Sequence, residues 1–271
     1  MPVCGLVAGA RIAALPHHHD LHQHEKNCMS EQLPKALVFD VFGTCVDWRG
    51  SIVAEGRALN AERCWSIDWE GLVDAWRGAY QPNMQKVRRG ALPWTNLDAL
   101  HLMALKGLLP TYLNGTPKSA IKAADLAGIN SMWHRLKAWP DAVRGLKRLK
   151  TRHVIGSMSN GNVALLTNMA KFAGLPWDLV FSAEWVHHYK PDRETYLSAP
   201  RMLALKPSEV MLVAAHKNDL DGANKAGLMT CFVPRPLEFG RAVAGQCDGA
   251  YEKRFDLNVR DFGELAGALG C

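Results

Sequence analysis

The chain has 271 residues, enough to bury a sizeable core, which suits one α/β domain carrying a smaller insertion. Its formal charge of +6, from 32 basic and 26 acidic residues, is compatible with attracting anions, but no basic run or aromatic-interleaved RNA motif points to a nucleic-acid partner. No apolar stretch approaches the roughly 18 residues needed to span a bilayer. The seven cysteines are scattered with no Cys-x-x-Cys, so a soluble protein of a reducing cytoplasm is expected, not a membrane, disulfide or zinc protein.

In chain order, residues 1–32 read as a leader. His17, His18, His19, His22 and His24 allow a metal-binding tract, but their spacing fits no defined site. The other reading is a disordered leader upstream of an alternative start at Met29. The Ala-rich stretch around Arg11 hints at a targeting peptide but lacks a convincing cleavage signature. Ala36-Leu37-Val38-Phe39 is then unbroken apolar sequence, as expected for a strand buried on both faces of a parallel sheet, and it ends in Asp40.

Residues 53–137 interrupt the strand pattern. Helix-like apolar spacing in 69–87, 97–107 and 120–137 predicts an all-helical cap over the sheet's ligand edge. Strands return at 154–158, 179–182, 210–215 and 230–233, separated by helical patterns at 141–150, 163–173, 193–205 and 220–226. Asp141 is placed to cap its helix, and Gly174 and Gly227 sit where C-terminal caps belong. The alternation implies an α/β fold: a Rossmann-like parallel sheet with helices on both faces, formed by 33–52 and 138–271, with the helical cap inserted at 53–137.

Polar residues fall in order at the C-terminal ends of these strands, where open α/β sheets bind ligands: Asp40 and Thr44, then Ser159-Asn160, then Lys190-Pro191, then His216-x-x-Asp219. This series resembles the haloacid dehalogenase superfamily across roughly residues 35 to 240. The L-2-haloacid dehalogenase (type II) branch is resembled more closely, through 39–44 (Phe-Asp-Val-Phe-Gly-Thr), Trp76-Arg77, 158–161 (Met-Ser-Asn-Gly) and 189–196 (Tyr-Lys-Pro-Asp-Arg-Glu-Thr-Tyr).

The resemblance implies hydrolysis of short 2-haloalkanoic acids, with Asp40 as nucleophile and an ester on its side chain as intermediate. Most relatives are phosphatases, which place a second Asp two residues later as general acid. Phe42 holds that position here and cannot donate a proton, but a halide leaving group needs none. By the resemblance, Arg77 and Asn160 stabilise the departing halide. Ser159 and the N–H groups of Val41 and Phe42 hold the substrate carboxylate, and Tyr196 has a substrate-side role. Thr44 orients Asp40, Lys190 keeps it ionised, and Asp219 positions the hydrolytic water.

At 214 and 216 the family commonly carries Ser and Asn; here they are Ala214 and His216. His216 either positions or activates water, which a near-neutral pKa would allow, or is satisfied structurally at a strand end. Ala215 stands where phosphatases place a Mg²⁺-binding Asp, so the oxygen cage is incomplete. No metal or cofactor is expected, and Asp221 reads as a solvated helix start. Arg77 and Lys190 have bland readings as surface charges. Trp94 is a pocket-wall candidate, and His187-His188 reads as structural or exposed. A phosphatase of the same superfamily and a catalytically silent anion-binding protein are the alternatives. A homodimer is compatible with the resemblance.

Overall fold

The computed structural model describes residues 1–2, 33–246 and 248–271, so the leader expectations lie outside the described residues. Residues 33–271 form one compact unit. The chain runs β1 (Ala36–Phe39), β2 (Val46–Asp47), α1 (Trp48–Arg63), α2 (Trp69–Gly78), α3 (Tyr80–Arg88), α4 (Leu97–Leu108), α5 (Ala123–Asn130) and β3 (Lys137–Ala138). It continues through α6 (Ala142–Leu149), β4 (Val154–Ser159), α7 (Val163–Ala173), β5 (Leu179–Ser182), α8 (Arg193–Met202) and β6 (Val210–Ala214). Last come α9 (Lys217–Ala226), β7 (Met229–Phe232), β8 (Leu257–Asn258) and α10 (Phe262–Ala268).

Six strands form one parallel sheet in the order β5-β4-β1-β6-β7-β8. All four β1 residues are fully buried, which is why their run is apolar without alternation. Successive side chains still point to opposite faces. Leu37 and Phe39 join one core with Leu146, Phe262 and the tryptophans of the insertion, while Ala36 and Val38 join another with Tyr196, Leu220 and Phe232. From β1 the chain builds outward to β5 on one side, then returns to build β6 to β8 on the other. This makes β1 a topological switch point, and its carboxyl end opens onto the crevice where such sheets bind ligands.

Between β2 and β3 the chain makes five α-helices, α1 to α5. Their ends are tied by the antiparallel pair β2–β3, with Val46 opposite Ala138. The stretch read as one helix over 69–87 is two, α2 and α3, meeting at Ala79. The 193–205 helix stops at Met202, and the 220–226 helix begins three residues early, at Lys217. Gly174 and Gly227 are left-handed C-caps. Asp141 does not cap α6 with its side chain. Its carboxylate instead accepts two bonds from Arg235 (2.7 and 3.0 Å) and one from the Phe262 N–H (3.0 Å). No described helix is long and apolar enough to cross a membrane, and Cys45, Cys64, Cys231 and Cys271 are free thiols.

Candidate active site

Asp40 follows β1 directly and is 8% exposed; its N–H donates to Val213 O at 3.0 Å, continuing the ladder with β6. The turn after it needs Gly43, which has φ +82°. A Cβ there would also lie 2.2 Å from Glu238 Oε1. This turn brings Thr44 back beneath the nucleophile candidate. The Thr44 hydroxyl donates to Asp40 Oδ2 at 2.7 Å and accepts from the Ala215 N–H at 2.9 Å. The Gly43, Cys45 and Val46 amides donate to carbonyls of the same turn, whereas the Val41 and Phe42 amides take no part in that bonding.

Lys190, in the loop between β5 and α8, is buried between two carboxylates. Its Nζ lies 2.7 Å from Asp219 Oδ2 and 3.3 Å from Asp40 Oδ1. Burial works against its charge, but Asp219 and Asp40 outweigh that and raise its pKa. Asn160, just after β4, fixes this loop by accepting the Lys190 N–H at 2.8 Å, and its side chain also lines the cavity beside the Tyr80 hydroxyl. Burial pushes the Asp40 carboxyl up. Lys190, the His216 bond and charge, and the Thr44 hydroxyl overcome that and hold it well below the usual carboxylate range. Asp219, in the first turn of α9, shifts the other way because burial and the Asp40 charge exceed the relief from Lys190. Tyr196 donates to Asp219 Oδ1 at 2.7 Å, an approach that Gly222 permits because a Cβ there would lie 2.5 Å from the Tyr196 oxygen.

His216 bridges two carboxylates, with Nδ1 3.1 Å from Asp40 Oδ2 and Nε2 3.0 Å from both oxygens of Glu238. Burial lowers its pKa, but the two carboxylates raise it to about 10. The near-neutral value expected from sequence is therefore corrected: at neutral pH this ring is an imidazolium. Glu238 is 3% exposed and also accepts from Trp48 Nε1 at 3.0 Å. Sequence reading missed it. Its only signal is its place in the loop that leaves the carboxyl end of β7, with no motif around it.

Arg77 stands in the last turn of α2, over the cavity. Its guanidinium lies 4.4 Å from the Tyr80 ring centre and 5.4 Å from that of Trp48. The nearest carboxylate oxygen, on Glu238, is 4.0 Å away, and the buried Nε has no partner among the described residues. Arg77 is thus held by aromatic faces, leaving its donors unspent. Behind it His101 stacks on Trp133 at 4.3 Å, and burial pushes His101 down to about 3, so this wall is uncharged.

These groups converge on one cavity of about 360 Å³, bounded by Asp40, Phe42, Arg77, Asn160, Lys190 and His216. Asp219 and Tyr196 also line it; Val41, Thr44 and Ser159 do not. Ser159 is buried, and its oxygen accepts from the Gly161 N–H at 3.2 Å. Trp94 is off the wall, packed against His187 and Tyr189 at 4.9 and 4.8 Å. Asp221 pairs with Arg254 at the surface, and His188 lies 3.4 Å from Asp192. An ionised carboxylate facing cations and neutral donors can act as a nucleophile toward an electrophile that is itself anionic.

Residues 34–227 match the family model of haloacid dehalogenase-like hydrolases. The chain is 34% identical over 215 residues to (S)-2-haloacid dehalogenase 1 of Pseudomonas sp. (strain CBS-3), covering 77% of this chain and 89% of that protein. The chain belongs to the haloacid dehalogenase superfamily, in its L-2-haloacid dehalogenase branch. Among solved structures, the L-2-haloacid dehalogenase PA0810 is 42% identical, with a TM-score of 0.80 over 87% of this chain and 99% of that one. The defluorinating L-2-haloacid dehalogenase Rha0230 is 37% identical, with a TM-score of 0.82 over 88% and 96%. As a haloacid dehalogenase, the chain is a hydrolase built on a Rossmann-like sheet with a cap.

Proposed function

We propose that this dehalogenase converts short (S)-2-haloalkanoic acids to 2-hydroxy acids through an ester on Asp40, without a metal ion. The observation that carries the mechanism is the ionised Asp40, flanked by Lys190 and His216, with hydrocarbon Phe42 two residues on. Asp40 Oδ2 is already engaged by Thr44 and His216, whereas Oδ1 has only Lys190 at 3.3 Å, so Oδ1 is the freer nucleophile. It attacks C2 opposite the carbon–halogen bond. Arg77 and the Asn160 amide receive the halide, and the substrate carboxylate rests on the unspent Phe42 amide at the cavity wall. Residues 53–137 act as the cap that keeps this chemistry dry.

Esterification removes the negative charge of Asp40. His216 then keeps one carboxylate neighbour instead of two, so its pKa falls and it releases its proton. The neutral ring, oriented by Glu238, takes a proton from a water that attacks the Asp40 ester carbonyl, while Asp219 and Lys190 hold the surrounding charges in place. As the adduct collapses, the proton left on the attacking oxygen passes to the departing alkoxide, which restores the Asp40 carboxylate and leaves His216 as the imidazolium. Overall, one haloacid and one water give one hydroxy acid, one halide and one proton.

The metal argument rests on residue chemistry. A phosphoryl group brings concentrated charge to an anionic Asp, and the cage for an intervening cation requires an oxygen ligand where Ala215 stands. A haloacid brings one carboxylate, which Arg77 and backbone amides can offset. The test measures halide release from 2-chloropropionate and phosphate release from a phosphomonoester, each with EDTA and with Mg²⁺. Halide release indifferent to both additions is expected; Mg²⁺-dependent phosphate release without halide release would place the chain among the phosphatases. The same reading extends to a cytoplasmic homodimer, checked by cell fractionation and sedimentation equilibrium.

A further inference from the structure

Beyond the reacting centre, the cavity wall is unusual for an alkyl chain. Arg77 from α2 and Gln81, Gln85 and Arg88 from α3 all line it, the last three spaced four and three residues apart on one face of α3. Asn218 lines the cavity from α9, across from this stripe. Among the described residues on the wall, Phe42 and Pro191 have wholly hydrocarbon side chains, and Tyr80 and Tyr196 add aromatic rings that end in hydroxyls. Gln81 and Asn218 are exposed, and Gln85 is half-buried. Ligand cavities are usually walled mainly by apolar groups and, for drug-sized ligands, span about 300–1,000 Å³. At about 360 Å³, this one has room for more than a two- or three-carbon acid.

Charge narrows what that extra part is. Asp40, Asp219 and Glu238 balance Lys190, Arg77 and the His216 imidazolium, so the substrate's own carboxylate is already one negative charge in excess. Arg88 offers no free compensation for a second, because Asp192 Oδ1 takes its Nε and Nη2 at 3.0 and 2.6 Å. A second carboxylate is therefore disfavoured. An alkyl chain is disfavoured for another reason: it displaces water from the half-buried Gln85 amide and offers it no partner.

We propose that the cavity selects 2-halo acids whose chain carries a neutral hydrogen-bonding group, such as a carboxamide at C4. This rests on the dehalogenase reading above. The test compares bromide release, net of the uncatalysed rate, from three (S)-2-bromo acids sharing one heavy-atom skeleton: 2-bromosuccinamate, 2-bromo-4-methylpentanoate and 2-bromosuccinate. 2-Bromopropionate is the reference.

The expected kcat/KM for the succinamate exceeds that of both others by roughly tenfold, the scale of one or two added hydrogen bonds. In the Gln81→Leu/Gln85→Leu variant the preference between succinamate and methylpentanoate shrinks or reverses. The wild-type comparison stands without that variant should it fold poorly. No bromide from 2-bromopropionate would sink the dehalogenase reading itself. Turnover of 2-bromopropionate with methylpentanoate or succinate equal to or better than succinamate would overturn the proposal alone.

Discussion

Replacing Glu238 with Gln separates the two halves of the proposed reaction. The change is nearly isosteric: the amide oxygen can still accept from Trp48 Nε1, now 3.0 Å from Oε1, and the amide NH₂ can face His216 Nε2. The charge is what goes. In the resting site three carboxylates face three cations, so the variant gains one net positive charge. Asp40 keeps Lys190 and Thr44 and stays ionised, so ester formation is expected to continue within a few-fold. His216 loses one of the two carboxylates that raise its pKa, and the neutral ring loses the partner that orients it as a base. Losing general-base assistance costs about 10²–10⁴ in rate, and here that cost falls on ester hydrolysis. Rapid-quench intact mass spectrometry with 2-chloropropionate should therefore find the ester accumulating toward one per active site, with a halide burst ahead of slow turnover. Slow turnover with no ester and no burst would mean the pair serves the first half-reaction, and turnover equal to wild type would remove it from catalysis.

Three further outcomes follow from the same geometry. Asp40→Asn should abolish turnover while leaving the fold intact, and single turnover of the native enzyme in heavy-oxygen water should label the Asp40 side chain before the product; label appearing directly in product would indicate direct attack by water. Arg77→Lys should lower kcat by roughly 10²–10³, the scale for one charge-stabilising donor, because Lys lacks the planar fork now held over Tyr80 and Trp48; near-normal halide release would refute its role at the halide. The His216 pKa is raised from 6.5 to about 10, so its contribution to stability is complete below about pH 6.5 and is lost as pH rises toward 10. Thermal melts should show that loss, flattened in Glu238→Gln; an identical slope in both proteins would contradict the pairing.

Much of the site was legible because its chemistry is local in sequence. An apolar run ending in Asp40, a glycine that turns the chain and a threonine four residues on form one strand-to-turn unit, and the structure keeps it intact. Asn160, Lys190 and Asp219 could be read because a parallel sheet repeats one junction, so the segments that follow β4, β5 and β6 all start at the same edge. The Asp141 expectation failed because a rule for helix starts cannot see Arg235, 94 residues away, competing for the same carboxylate. β8 and α10 escaped because a two-residue edge strand and a seven-residue helix are too short to show periodicity.

The sequence by itself determined the alternation of β1, β4, β5, β6 and β7 with helices, the carboxylate and the lysine at the sheet edge, and the absence of a proton donor at Phe42. The tertiary structure alone decided the charge of His216. That charge depends on Glu238, 22 residues on, and Glu238 is fixed by Trp48, 190 residues before it and at the start of α1. Periodicity and turn chemistry act over a few residues, whereas a pKa is set by whatever charges lie within a few ångströms after the chain has closed on itself.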